Sequence, residues 1–156
     1  MVDSRAKGAR TETAVRDVLR KHTNLQWERV PGSGALDEKH GLKGDLYIPN
    51  ELNKYCVEVK GYAEDHLTSA ILTSKSPQLL AFWEQALRQG RQVKKEPLLI
   101  FKFDRSKLFV AWSDPNHLPD GSYPYIYLQR DGLALFASLL EDWLVHEQPN
   151  FIATKR

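Results

Sequence analysis

Tyr55-Cys56-Val57-Glu58-Val59-Lys60-Gly61 constrains this chain more than any other stretch. It is a run of β-formers with an acid and a lysine two residues apart. On a strand, side chains two apart share a face. Cys56, Glu58 and Lys60 therefore point one way, and Tyr55, Val57 and Val59 the other. Two charges on one face of an apolar strand are costly if that face is buried. The bland alternative is a surface strand with a same-face ion pair, and the triplet alone does not decide. Gly44-Asp45-Leu46 lies just upstream, on a second predicted strand, and adds a carboxylate. Two carboxylates can hold a hard divalent cation, and a lysine beside them can act on a nucleophile or on developing charge. That pattern outlines a metal-dependent phosphodiesterase.

Around this stretch the pattern predicts one domain over residues 1–156, a length sufficient for a real core. Residues 8–22 read as a helix with Ala14, Val15, Val18 and Leu19 at helical spacing, and with Thr11 near its start. Leu25–Val30 reads as a strand, followed by a Pro-Gly-Ser-Gly loop running to Lys43. Leu42–Ile48 and Lys54–Lys60 form a predicted hairpin that brings Asp45 near Glu58. Ser76-Pro77 opens a helix ending near Gly90. Pro97–Phe103 and Leu108–Trp112 are strands, Tyr123–Leu128 is a short one, and Leu133–Val145 reads as a C-terminal amphipathic helix. This order argues for an α/β domain with a central mixed sheet flanked by helices.

Composition excludes some chemistries. One cysteine rules out an internal disulfide framework and a Cys-based zinc site, and the five histidines are scattered singly. No apolar run approaches the roughly 18 residues of a membrane span, and the first residues lack the apolar core of a signal peptide. An intracellular, cytoplasmic protein without membrane contact is the expectation. The net charge of +2 argues little by itself. Its distribution says more: basic residues cluster in 1–22 and again at Arg88, Arg91, Lys94 and Lys95. Such clusters are as consistent with a solvated face as with a phosphate-binding stripe.

Glu12 is a third acid, on a helical wheel beside Val15 and Leu19. Helix-dipole stabilisation near an N-terminus would explain it alone. With Asp45 and Glu58 on neighbouring strands, metal binding explains it better. Phosphodiester hydrolysis needs a deprotonated water, in-line attack and stabilisation of the leaving oxyanion, which Mg²⁺ ions on carboxylates supply. Oxygen donors favour Mg²⁺, or Mn²⁺, over Zn²⁺. Asp45 and Glu58 are the expected ligands, with the Val59 carbonyl as a backbone ligand and Lys60 acting on the attacking water or the phosphate.

These residues also carry a family likeness. Lys7-Gly8-Ala9 followed by Glu12, Arg29-x-x-Gly32-Ser33, Gly44-Asp45-Leu46, Cys56-Val57-Glu58-Val59-Lys60, Asp65-His66-Leu67, Leu80-x-Phe82 and Pro97–Phe103 together resemble the archaeal-type Holliday junction resolvases. That group is a branch of the PD-(D/E)xK nuclease superfamily, with a restriction-endonuclease-like central mixed sheet. The likeness spans about Arg5 to Phe103. It implies a homodimer that cuts two symmetric strands of a four-way DNA junction with Mg²⁺. Carried over, Glu12, Asp45, Glu58 and Lys60 form the catalytic core, with Glu12 also a metal ligand. Ser33 becomes the loop serine near the scissile phosphate, although a plain Gly-Ser turn explains it equally. Arg5, Lys7, Arg10 and Arg29 would contact DNA phosphates, which position without reading sequence. The 34–44 loop looks longer than the family's, and the chain after Phe103 departs from it. Such a compact nuclease would suit a virus or mobile element as well as a cellular genome.

Several residues invite a functional and a bland reading. The aromatics Trp112, Tyr123, Tyr125, Tyr127, Phe136 and Trp143 suit base stacking, but core and subunit interface are favoured, with Phe136, Leu139, Leu140 and Trp143 as a contact stripe. Gln78 and Gln85 read as exposed glutamines, and His66 as a solvated loop histidine. Other nucleases on the same scaffold, of restriction, repair or flap type, are the nearest alternatives. A non-catalytic DNA-binding module is the alternative of another class, and the intact acid–lysine set argues against it.

Overall fold

The computed structural model describes residues 4–31, 43–114 and 118–153, with side chains from Gly8 onward. Ser33 and the loop through Leu42 lie outside the described residues, as do the side chains of Arg5 and Lys7. Among the described residues, no helix is long and apolar enough to cross a membrane.

The first helix, α1, spans Ser4–Thr23. Thr11 sits well inside it rather than at its start, and Thr11, Val15 and Leu19 form its buried stripe. The chain then turns through Asn24 and enters the short edge strand β1, Glu28–Arg29. β2, Leu46–Tyr47, pairs antiparallel with β1 and with β3, Tyr55–Tyr62. Leu46 lies opposite Val57, so the predicted hairpin is present. Asn53 closes its turn: its side chain accepts the Ile48 N–H at 2.7 Å and donates to the Ile48 carbonyl at 2.9 Å.

A short helix α2, Ala70–Thr73, and a longer one α3, Gln78–Gln92, lead to β4, Glu96–Phe103. β4 lies parallel to β3, with Glu58 beside Leu99 and Lys60 beside Phe101. A parallel neighbour needs a long crossover, and the α2–α3 segment provides it. α3 follows the apolar spacing of its sequence, burying Leu79, Leu80, Phe82, Trp83 and Ala86. β5, Phe109–Trp112, returns antiparallel to β4. β6, Tyr125–Arg130, and β7, Leu133–Leu139, form a hairpin, and α4, Leu140–Glu147, closes the chain. The described residues thus form a seven-stranded mixed sheet in the order β1-β2-β3-β4-β5-β7-β6, the α/β architecture expected.

Two layers of core cover its faces. Val15, Leu19, Val57, Val59, Leu98, Ile100 and Trp143 pack on the α1 and α4 side. Leu79, Phe82, Trp83, Leu99, Phe101 and Leu135 pack on the α3 side.

One predicted helix is corrected. Leu133–Leu139 is a strand, and only Leu140 onward is helical. β7 lies between β5 and β6 and is buried on both faces, with Leu135 and Ala137 in one core layer and Phe136 in the other. A strand covered on both sides is a continuous apolar run, which periodicity cannot separate from a buried helix. The proposed subunit stripe falls with it: Phe136, Leu140 and Trp143 are 6%, 0% and 2% exposed, and serve this chain's own core.

Candidate active site

The site is assembled where β2 ends against β3. Gly44 has a left-handed φ of +87°, and a β-carbon there would lie 2.5 Å from the Val57 carbonyl oxygen. Only glycine accommodates both constraints. The Asp45 N–H then donates to that same carbonyl at 2.7 Å. The Val59 N–H in turn donates to Asp45 Oδ2 at 2.8 Å. The Asp45 carboxylate therefore extends the ladder ahead of the first residue of β2 and is fixed beside β3.

Glu58 and Lys60 project from β3 toward α3, on the face opposite Val57 and Val59. Glu58 is 4% exposed. Lys60 Nζ lies 3.8 Å from Glu58 Oε2 and 5.6 Å above the centre of the Phe82 ring. From α3, the Gln89 side chain hydrogen-bonds Glu58. Glu12 on α1 is turned to the side of the buried stripe, where its Oε1 accepts from Arg29 Nε on β1 at 3.1 Å. Three of the expected catalytic side chains, Asp45, Glu58 and Lys60, thus converge, and Glu12 is close enough to act on them.

The electrostatics are those of a site short of positive charge. Burial pushes the Glu58 carboxyl up to about 8, and the Asp45 carboxylate adds to that rise, while Lys60 opposes it. Burial likewise raises Asp45 to about 6 against the Val59 hydrogen bond, with Glu12 adding repulsion. Cys56, on the same face, is driven up to about 12 by burial and then by Glu58. One lysine does not offset the buried Glu58 carboxylate and the half-buried Asp45 carboxylate beside it.

Among the described residues, no group of three or more His, Cys, Asp or Glu side chains forms a ready-made metal cage. The donors that are present nevertheless fit a hard divalent ion. Mg²⁺ is usually held by one or two carboxylates, with waters and substrate phosphates completing its shell. Asp45 and Glu58 are such a pair, held together despite their repulsion. Buried charge is retained only when paired or bound to metal, so a cation between them would relieve the cost.

Gln89 was not singled out in the sequence. Gln78 is exposed and Gln85 half-buried, while Gln89, one turn beyond Gln85, reaches the site. The i, i+4 relation to Gln85 was the available signal, but only the docking of α3 on β3 selects Gln89. His66 is also corrected. Its ring packs against Tyr62, Phe82 and Phe103 at 5.5–5.6 Å, and is not a solvated loop side chain. Arg10 is exposed on α1.

A family model described as "Phage putative PDDEXK endonuclease" matches residues 3–149. Protein D14 of Escherichia phage T5 is 42% identical over 150 residues, covering 93% of this chain and 94% of that protein. Among solved structures, Archaeoglobus fulgidus Hjc, a Holliday junction resolvase from an archaeal hyperthermophile, aligns with 94% of this chain and 93% of its own. Its identity is 17% and its TM-score 0.41.

Proposed function

We propose that this chain, which belongs to the phage PDDEXK endonuclease family and is a nuclease of the PD-(D/E)xK type, is a Mg²⁺-dependent endonuclease that resolves four-way DNA junctions. The observation that carries the catalytic part is the half-buried Asp45 held against the buried Glu58, with Lys60 beside it. Asp45 and Glu58, with the Val59 carbonyl, would hold the ion, and Mn²⁺ would substitute for Mg²⁺. When bound, the ion supplies a water of lowered pKa and neutralises charge on the phosphate. Lys60 would orient the attacking water or stabilise the phosphorane-like charge. Glu12, braced by Arg29, adds a third carboxylate at the rim, as an outer or direct ligand.

Junction selectivity rests on the likeness of motifs from Lys7 to Phe103. Two symmetric cuts need two active sites, and each chain carries one, so the active species in this reading is a homodimer. Arg5, Lys7, Arg10 and Arg29 contact phosphates, and Ser33 approaches the cleaved one. The nuclease acts in recombination or repair of DNA in the cytoplasm of a host cell, encoded by a phage or similar element, as is its relative D14.

The test is a cleavage assay in Mg²⁺ on a synthetic four-way junction, with duplex, flap and single-stranded DNA of matched sequence. Asp45→Asn serves as control. Paired symmetric nicks on the junction, absent in the variant, are expected. Equal cutting of plain duplex would remove junction selectivity and leave the nuclease. Tight binding without cutting in either metal would leave a DNA-binding module instead.

A further inference from the structure

The C-terminal end of β3 has two sides. Lys60 points toward α3 and the carboxylates. Gly61 points the other way, toward α1, and borders a cleft of about 340 Å³ lined by Arg10, Thr11, Tyr62, Lys102 and Asp104 among others. This is a small cavity by the standard of ligand sites, which run from ~300 to 1,000 Å³. It is large enough for a sugar–phosphate unit.

The cleft is coupled to the active site through both of its walls. Thr11 directly precedes Glu12 in α1, and Gly61 directly follows Lys60 in β3. Contact between those walls is close: a β-carbon on Gly61 would lie 2.5 Å from Thr11 Oγ1. Lys102 is the register partner of Gly61 on β4. It alternates with Leu98 and Ile100, and so shares their face of the sheet, the α1 face. Its ammonium donates one hydrogen bond, to the Phe103 carbonyl at 3.1 Å. A lysine has three N–H donors, so this bond orients the group without exhausting it. Arg10 adds a guanidinium from α1. The two cations outweigh the carboxylate of Asp104. A cation-lined cleft one residue from the reacting groups, on the opposite side of the strand that carries them, suits an anion that is part of the same substrate.

We propose that this cleft is a second phosphate site, which takes a backbone phosphate next to the one cleaved, with Lys102 and Arg10 as its cations. A DNA strand crossing the end of β3 would then be held at two successive points, on either side of Lys60. Such a two-point grip fixes the direction of the scissile P–O bonds, which in-line attack requires. The inference rests on the nuclease reading above and extends it.

The experiment is binding of a four-way junction in EDTA, where nothing is cut, across a series of salt concentrations. Each phosphate neutralised contributes about 0.9 to the slope of log K against log salt for duplex DNA. Lys102→Ala and Lys102→Gln are each expected to lower that slope by about one. Lys54→Ala is the control, at the other end of β3, about 23 Å away at the usual strand rise. It should keep the wild-type slope. A walk of uncharged methylphosphonate linkages should then find one position next to the cut that weakens the wild type and leaves Lys102→Ala unaffected. An unchanged slope in both Lys102 variants overturns the proposal, as does an equal loss in Lys54→Ala. If the wild type cuts DNA while the Lys102 variants keep its slope, this site alone falls. If the wild type binds no DNA, the nuclease reading falls with it.

Discussion

Val57 and Glu58 are neighbours in one strand and almost equally buried, at 0% and 4% exposure. Their burial has opposite consequences. Val57 turns to α1 and joins the apolar layer of Val15, Leu46 and Leu98. Glu58 turns to α3 and meets a lysine, a glutamine and a second carboxylate. One side of β3 is where folding gains free energy, and the other is where some of it is given back. A chain selected for stability alone would have no use for Glu58. Its burial between Val57 and Val59, both core residues, is what makes this face the candidate site.

The sharpest way to break this contrast is Asp45→Asn. The amide oxygen still accepts the Val59 N–H, so the local structure is kept while a charge is lost. Cleavage should drop by about 10³-fold or more in a single-turnover assay, with an unchanged melting temperature or a higher one. Retained activity within tenfold would show that the α3-facing side is not the catalytic one.

Next come paired substitutions on the two faces. Glu58→Gln should abolish cleavage yet raise metal-free stability at pH 8, because it removes the buried repulsion. Val57→Ala should do the reverse, costing about 2 kcal/mol in denaturant unfolding with the activity per folded molecule preserved. Loss of stability in Glu58→Gln would mean that the carboxylate is structurally satisfied after all.

pH sharpens the same point. Asp45 and Glu58 have native values of about 6 and about 8, above their ordinary 3.8 and 4.5. The native state therefore binds more protons than the unfolded one between those limits, and stability falls as pH rises. Their stabilising protonation is complete below about pH 4 and is lost by about pH 8. Thermal melts without metal should decline across that window. Mg²⁺ should restore stability more at pH 8 than at pH 5, because it replaces the missing protons. A Mg²⁺ effect of equal size at both pH values would argue against binding at these carboxylates.

The smallest effect is expected at Gln89. Partners of metal-binding side chains typically contribute about 10- to 100-fold in affinity or activity. Gln89→Ala should raise the Mg²⁺ concentration needed for half-maximal cleavage by about tenfold, with little change at saturating metal. A titration of rate against Mg²⁺ separates this from a structural defect, which saturating metal would not rescue.

The acids and the lysine were legible because a strand has a period of two. Alternation alone placed Glu58 and Lys60 together and apart from Val57 and Val59. Gly44 was legible as a companion of Asp45, though not its reason, which is the approach to the Val57 carbonyl. The C-terminal region was misread where the same rule loses its grip. Leu133–Leu139 is buried on both faces, so it shows no alternation. Its neighbour Leu140 starts a helix with the same apolar character. Glu12 was placed on the inner face of α1, but it lies beside that face, and Thr11 occupies the contact with Gly61.

By itself the sequence determined a mixed α/β domain, the hairpin that joins Asp45 to Glu58, and the chemistry those side chains can perform. These follow from local periodicity and turn residues, which act over a few positions. Tertiary structure alone decided that Arg29 braces Glu12, that Gln89 rather than Gln85 reaches Glu58, and that Lys102 and Arg10 line one cleft. Each of these depends on how one element is rotated and seated against another. That is set by the packing of whole faces, and no spacing along the chain encodes it.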